Sequence, residues 1–278
     1  MIKIFSNFSL AEWTISQNHF PDGTLRTDTP ILNYIKDITI LWKYENDAEL
    51  FTLICLAKKY KDIDKKLLMP YIPHARMDRV KQSSDVFTLK YFAETINSLG
   101  FKTVIVIDPH SSVSEALIDN IVILQPKQYI CETIRIIEKE TLDLVLYFPD
   151  SGAAKRYTDL CPEYKYVYGN KKRRWEDGKI LGIEILNDFD IDLKGKTILM
   201  IDDIISYGGS MKYSADKLKE MGVGKIYAYA THTENSILDE EKGTLLKSLN
   251  DGIVERLFTT NSIFTKEHEK ITVMEVEV

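Results

Sequence analysis

Three aspartates, Asp108, Asp150 and Asp202, each follow an apolar run and are followed by small residues. The runs 103–107, 144–148 and 198–201 read as buried strands of the kind found in parallel sheets covered on both faces. In such sheets ligands gather beyond the carboxyl ends of the strands, so the expectation is one shared site. His110 stands next to Asp108, and the cluster Arg76, Asp78 and Arg79 follows another apolar run at 67–72. An imidazole with carboxylates suits a hard divalent cation. Mg²⁺ keeps several waters and takes one or two protein ligands plus substrate phosphates. A histidine standing alone is more simply a capping or core residue.

Asp202 and Asp203 precede Ser206-Tyr207-Gly208-Gly209-Ser210, and a helical pattern starts at Met211. The glycines let backbone approach a ligand, and N–H groups opening a helix suit an anion. The acid pair cannot hold a phosphate; it can accept from sugar hydroxyls or hold a cation. Together they describe a phosphorylated sugar, although an ordinary βα turn with solvated acids has the same wording. Lys171, Lys172, Arg173 and Arg174 form a dense cation run between two strand patterns, with Gly169 before it and Gly178 after it. The run is either a solvated hairpin tip or a lid that brings positive charge to a polyphosphate. Gly-x4-Gly-Lys-Ser/Thr, Cys-x2-Cys, His-Glu-x2-His and Gly-x-Ser-x-Gly are all missing, which removes P-loop, zinc and common hydrolase readings.

These groups need a scaffold, and the chain alternates strands and helices at spacings that predict an α/β fold with an open, mainly parallel sheet in each half. The boundary is expected near 142. The 278 residues are 44% hydrophobic with a net charge of −6, which argues against a nucleic-acid surface. No apolar run reaches membrane-span length and no signal-peptide core is present, so a cytoplasmic location is expected. Cys55, Cys131 and Cys161 are odd in number and widely spaced, as free thiols in a reducing compartment would be.

Taken in order, these segments resemble the ribose-phosphate pyrophosphokinases (phosphoribosyl-pyrophosphate synthetases) over most of the chain. Pro70-Tyr71-Ile72-Pro73-His74-Ala75-Arg76-Met77-Asp78-Arg79 is similar to the family's ATP-binding Pro-Tyr-x-x-Tyr-Ala-Arg-Gln-Asp-Arg. Asp108-Pro109-His110 is similar to its Asp-Leu-His, and Pro149-Asp150-Ser151-Gly152 to its Pro-Asp-Ala-Gly. Lys172-Arg173-Arg174 matches the Lys-Arg-Arg of its catalytic loop. Asp202-Asp203 with Gly208-Gly209-Ser210 resembles its ribose-5-phosphate loop, and Phe20-Pro21-Asp22-Gly23 its Phe-Ser-Asp-Gly-Glu, which reaches adenine in a neighbouring subunit. The short length and the Asp-Pro-His-Ser wording look most like divergent phage and bacterial members, often found beside nicotinamide-salvage genes.

The resemblance implies two phosphoribosyltransferase-like domains, 1–142 binding ATP and 143–278 binding the ribose phosphate. It implies that Lys172 and Arg174 stabilise the transferring phosphoryl group. Phe20, Asp22, Arg76, Asp78, Arg79 and His110 would bind ATP, and His110 and Asp150 would hold Mg²⁺. Asp202, Asp203, Ser206, Tyr207, Gly208, Gly209 and Ser210 would bind the acceptor, in a homodimer or larger homo-oligomer with neither nucleic acid nor membrane as partner. The acceptor's C1 hydroxyl would attack the β-phosphorus of ATP and AMP would leave.

Departures from the pattern bear on the acceptor. Ser206-Tyr207 stands where the family turn carries an acid and a threonine, so an acid and a hydroxyl are lost and an aromatic is gained. A tyrosine can stack against something attached to the 5-phosphate, as in ADP-ribose, so ADP-ribose stands beside ribose 5-phosphate as the expected acceptor. Met77 and Thr24 replace polar residues near the base. Two rivals remain: a phosphoribosyltransferase, which needs only one such domain, and a non-catalytic regulatory homologue, which should lose the loop cations or His110.

Overall fold

The computed structural model describes residues 1–6, 11–32, 35–173 and 180–276, with backbone alone at 171–173, 180 and 181. The chain divides into two compact units, Met1–Gln125 and Pro126–Glu277. The fold is mixed α/β, with two mainly parallel sheets flanked by helices.

In the first unit the elements are β1 (Ile2–Ser6), β2 (Glu12–Thr14), β3 (Ser16–His19), β4 (Leu25–Asp28), β5 (Asp37–Trp42), α1 (Ala48–Lys59), β6 (Asp64–Leu68), α2 (Thr88–Ser98), β7 (Thr103–Ile107), α3 (Ser112–Leu117) and β8 (Ile121–Leu124). The sheet order is β2-β1-β5-β6-β7-β8. β5 to β8 run parallel, and β1 pairs antiparallel with both of its neighbours. Alternation along β5 and β7 sends Ile38, Ile40, Val104 and Val106 into one core with Leu53 and Leu56 of α1 and Phe92 and Ile96 of α2. β3 and β4 form a separate hairpin. β6 stops ahead of Pro70, which has no N–H to continue a ladder; the apolar run had suggested a strand to Ile72. β2 to β4 are too polar to show as an apolar alternation.

The second unit holds α4 (Lys127–Ile137), β9 (Leu144–Phe148), α5 (Ser151–Tyr157), β10 (Tyr166–Arg173), β11 (Ile180–Leu186), β12 (Thr197–Ile205), α6 (Gly209–Glu220), β13 (Lys225–Thr233), α7 (Thr244–Asn250), β14 (Arg256–Thr260) and β15 (Ile271–Met274). Its sheet runs β11-β10-β9-β12-β13-β14-β15 and is parallel except for the β10–β11 pair. β9 is buried at every residue because it lies inside the sheet between β10 and β12. Val145, Ile198, Met200, Ile226 and Ala228 pack with Met211, Ala215 and Leu218 of α6. β12 does not end at its apolar run. It continues through both acids to Ile205, pairing Asp202 with Ala230 and Ile204 with His232 of β13. Among the described residues no helix is long and apolar enough to cross a membrane.

Candidate active site

In the first unit, the segments that follow β6 and β7 carry the chemistry. Ile107 N–H donates to Pro70 O at 3.0 Å, tying the two strand ends together. Two non-glycine residues with positive φ occur here, His74 at 63° and Asp108 at 44°. Such backbone is uncommon outside glycine and marks loops whose shape is imposed by their surroundings. His74 is held by Asp47, with Nε2 to Oδ1 at 3.3 Å, and its ring lies against Phe92. Asp78 is buried while the Arg79 side chain is largely exposed. Arg79 Nε donates to Asp78 Oδ1 at 2.7 Å and Nη2 to Oδ2 at 3.1 Å.

That fork holds the Asp78 carboxyl below the usual range; burial works against it, and Ser111 and His110 add to the lowering. The structure thus brings Asp78, Arg79, His110 and Ser111 into one neighbourhood. Arg76 is exposed in the same loop and Met77 is half-exposed. An acid with a depressed folded-state pKa adds stability that is present above its unfolded value and lost as pH falls through the folded one. Asp78→Asn is therefore expected to lose stability at neutral pH. Below about pH 4 its urea midpoints should fall less steeply than those of the wild type.

Phe20-Pro21-Asp22-Gly23-Thr24 closes the β3–β4 hairpin. Gly23 N–H donates to Phe20 O at 2.8 Å, Phe20 N–H to Thr24 O at 2.9 Å, and Gly23 takes φ +83°. This is a three-residue hairpin loop with glycine at its left-handed position. Asp22 accepts from the Thr24 N–H and hydroxyl, which lower its pKa. Phe20 is left half-exposed at the tip.

In the second unit the segment after β9 and the end of its neighbour β12 carry the site residues. Asp150 is exposed at the N-cap of α5 and accepts from Ala153 N–H at 3.0 Å. Asp202 and Asp203 point to opposite faces of β12 by the two-residue period. Asp203 is buried, with Oδ1 3.7 Å from Arg156 Nη1 on α5. Tyr147, buried on β9, donates to Ser214 Oγ at 2.7 Å, and Ser214 donates to Ser210 O at 3.0 Å. Burial, with the charges of Asp150 and Asp202, pushes the Tyr147 phenol up to about 12 against the Ser214 bond. Asp150, Asp202 and the opening of α6 therefore share one neighbourhood. Gly169 explains part of this closeness, because a Cβ there would lie 2.4 Å from Tyr147 Oη and 2.8 Å from Pro149 O. Gly169→Ala is expected to destabilise the protein by about 1–3 kcal/mol, measured by urea unfolding.

The turn after β12 encloses a cavity of about 380 Å³ lined by Asp202, Ile204 to Ile205 and the turn from Ser206 to Met211. Gly208 caps α6 with φ +82°, and the first intrahelical donor is Lys212 N–H to Gly208 O. Gly209, Ser210 and Met211 are thus the N–H groups at the helix end that suit an anion. The Tyr207 carbonyl accepts from Thr244 and Leu245 N–H of α7 at 2.9 and 3.2 Å, which anchors the turn from behind. Tyr207 is 38% exposed.

Lys171, Lys172 and Arg173 lie in β10 itself, paired with Ile183, Gly182 and Ile180 of β11, and the register shifts between Lys172 and Arg173. Arg174 lies outside the described residues. Sequence reading overlooked Arg156, six residues after Asp150 and on the same short helix. It also overlooked the hydroxyls of Ser111 and Ser214. A basic residue soon after an N-cap acid was the one local signal for Arg156. Among the described residues no group of three or more His, Cys, Asp or Glu is placed to hold a metal. Mg²⁺, which relies on waters and phosphates, needs only one or two protein ligands; the half-buried His110 of the first unit and the exposed Asp150 carboxylate of the second are each of a type that can serve as one.

No protein-family model matches the chain. Among curated proteins, the ribose-phosphate pyrophosphokinase of Saccharolobus solfataricus is 28% identical over 264 residues, covering 91% of this chain and 86% of that protein. Ribose-phosphate pyrophosphokinase 1 of Listeria innocua is 27% identical over 271 residues, covering 94% and 80%. Among solved structures, phosphoribosylpyrophosphate synthetase from Mycobacterium smegmatis superposes with a TM-score of 0.76 at 18% identity, covering 94% of this chain and 86% of that one. The chain is a homologue of the ribose-phosphate pyrophosphokinases over most of its length, and it shares the synthetase fold.

Proposed function

We propose that this protein is an enzyme of the ribose-phosphate diphosphokinase type. It transfers the β,γ-diphosphoryl group of ATP to the C1 hydroxyl of ribose 5-phosphate and releases AMP. One observation carries the reading: Asp202, a left-handed glycine and the opening of a helix line one cavity, in a chain whose relatives bear that name. Two α/β units, each with its own mainly parallel sheet, favour this over a phosphoribosyltransferase, which needs one.

In this reading the first unit binds ATP. Arg76 and Arg79 hold its phosphates, Asp78 fixes the Arg79 fork, and Phe20 and Asp22 contact the base from a neighbouring copy in a homodimer. In the second unit Asp202 and Asp203 accept from the ribose hydroxyls, and Gly208, Gly209 and Ser210 hold the 5-phosphate. Lys172 and Arg174 meet the charge that builds on the transferring group. His110 and Asp150 are the residues that would hold Mg²⁺, which when bound neutralises phosphate charge.

A second reading, with ADP-ribose as acceptor in nicotinamide-nucleotide salvage, is favoured by Tyr207. Its ring is part-exposed in the cavity lining, where a substituent on the phosphate would pass. The test offers purified protein ATP and Mg²⁺ with ribose 5-phosphate or ADP-ribose, and follows AMP. AMP with either acceptor supports the enzyme class and tells the two apart; AMP with neither overturns it.

A further inference from the structure

β9 is apolar along its length except for the hydroxyl of Tyr147, and that hydroxyl is used on α6. Tyr147 and Ser214 are both fully buried. Ser214 donates to Ser210 O at 3.0 Å. A carbonyl only accepts and a hydroxyl has one proton, so the Ser214 proton is committed there. Ser214 then meets Tyr147 as an acceptor, and the phenol donates at 2.7 Å. Burial above all, which pushes that phenol up to about 12, keeps it a donor at any working pH. The chain of bonds therefore has one sense, from Tyr147 through Ser214 to the Ser210 carbonyl. Gly169 leaves the phenol the room it needs, since a Cβ there would lie 2.4 Å from Oη.

The Ser210 carbonyl and the Met211 N–H belong to one planar peptide unit. A bond that holds the oxygen therefore fixes the direction of the N–H. Ser210 and Met211 line the cavity after β12. The first intrahelical donor of α6 is Lys212, so the Met211 N–H is among those left for an anion. A serine inside a helix can bond back to the carbonyl four residues earlier or turn away from it, and the back-bond bends the helix. Tyr147 removes that choice for Ser214. We propose that Tyr147 is a positioning residue for the acceptor phosphate: through Ser214 it holds the peptide that carries the Met211 N–H. The residue touches no ligand itself. This rests on the assignment of the cavity to the acceptor, and holds for either acceptor, since both carry a 5-phosphate.

The experiment separates aiming from packing. Tyr147→Phe, Ser214→Ala and the double variant are compared with wild type. Calorimetry with Mg²⁺ gives the affinity for a non-hydrolysable ATP analogue. With that analogue present, it also gives the affinity for ribose 5-phosphate or ADP-ribose, whichever wild type binds more tightly. Urea midpoints give stability. Ser214→Ala leaves the buried phenol without its partner and should have the lowest midpoint. The double variant, with both hydroxyls gone, should recover most of that loss. The acceptor is expected to bind about five- to tenfold more weakly to all three, roughly the effect of one misaligned hydrogen bond to a charged group. Affinity for the ATP analogue should not change. The double variant should bind no more weakly than Ser214→Ala, since the same chain of bonds is broken in each. Recovery of acceptor affinity together with stability in the double variant would reduce the pair to packing and overturn the proposal. Unchanged acceptor affinity in folded Tyr147→Phe, which keeps the ring, also overturns it, and decides the matter if the double variant does not regain stability. Either result with AMP formed by wild type removes the positioning role alone. A wild type that binds neither acceptor removes the assignment of the cavity, and the proposal with it.

Discussion

Lys172→Ala is expected to lower kcat by about a thousandfold, the scale on which positioned cations stabilise a phosphoryl-transfer transition state. Lys172 belongs to β10 near its end, and the ladder with β11 holds its backbone through Lys172 to Gly182 pairing. A cation presented from a hydrogen-bonded strand costs less to position than one on a loop with free backbone torsions. The bulge between Lys172 and Arg173 breaks the strict two-residue alternation along the run. Charge accumulates on the transferring group only as it leaves AMP, so the interaction is stronger in the transition state than in the bound nucleotide. The loss should fall on kcat, and ATP dissociation measured by fluorescence or calorimetry should change little. A variant with wild-type turnover would remove the cation run from the mechanism.

Gly208→Ala should cripple the acceptor site by a different route. Gly208 has φ +82°, a region that costs a residue with a side chain about 1–2 kcal/mol. An added Cβ would also lie 2.3 Å from Leu245 Cβ, on a helix that is itself fixed to the turn through the Tyr207 carbonyl. Leu245 is fully buried and cannot step aside without opening the core. Strain and overpacking together are expected to cost about 2–4 kcal/mol, read as a fall in urea midpoint. The relief available to the chain is to move the turn away from α7, which shifts the N–H groups of Gly209 and Ser210. The acceptor KM should therefore rise at least about tenfold while the ATP KM stays near its wild-type value. An unchanged acceptor KM would mean that this turn does not grip the acceptor.

The strands and most helices were readable because their signal is local: 103–107, 144–148 and 198–201 are apolar runs of strand length, and each proved to be a parallel strand with an acid at or near its end. The small-residue turn before α6 was readable for the same reason, although the helix starts at Gly209, two residues before the Met211 at which its apolar pattern begins. What could not be read came from contacts distant in sequence. β12 continues past its apolar run because β13 offers ladder partners to Asp202, Ile204 and Ile205. Thr244 reaches back 37 residues to the Tyr207 carbonyl, and Ser206 meets Ser236 across 30. α7 itself is a seven-residue helix with little pattern of its own. Asp78 looked like one more loop acid beside Arg76; its burial and the Arg79 fork emerge only when the segments after β6 and β7 pack together.

The central claim concerns which phosphoryl bond of ATP breaks, and isotope position tests it most directly. Protein, Mg²⁺ and ATP labelled with ³²P at the β-phosphorus would be incubated with ribose 5-phosphate, and in parallel with ADP-ribose. The account predicts that the label leaves the nucleotide and appears in a sugar 1-diphosphate, with unlabelled AMP formed in equal amount. Labelled ADP as the nucleotide product, with no labelled sugar diphosphate from either acceptor, would contradict it.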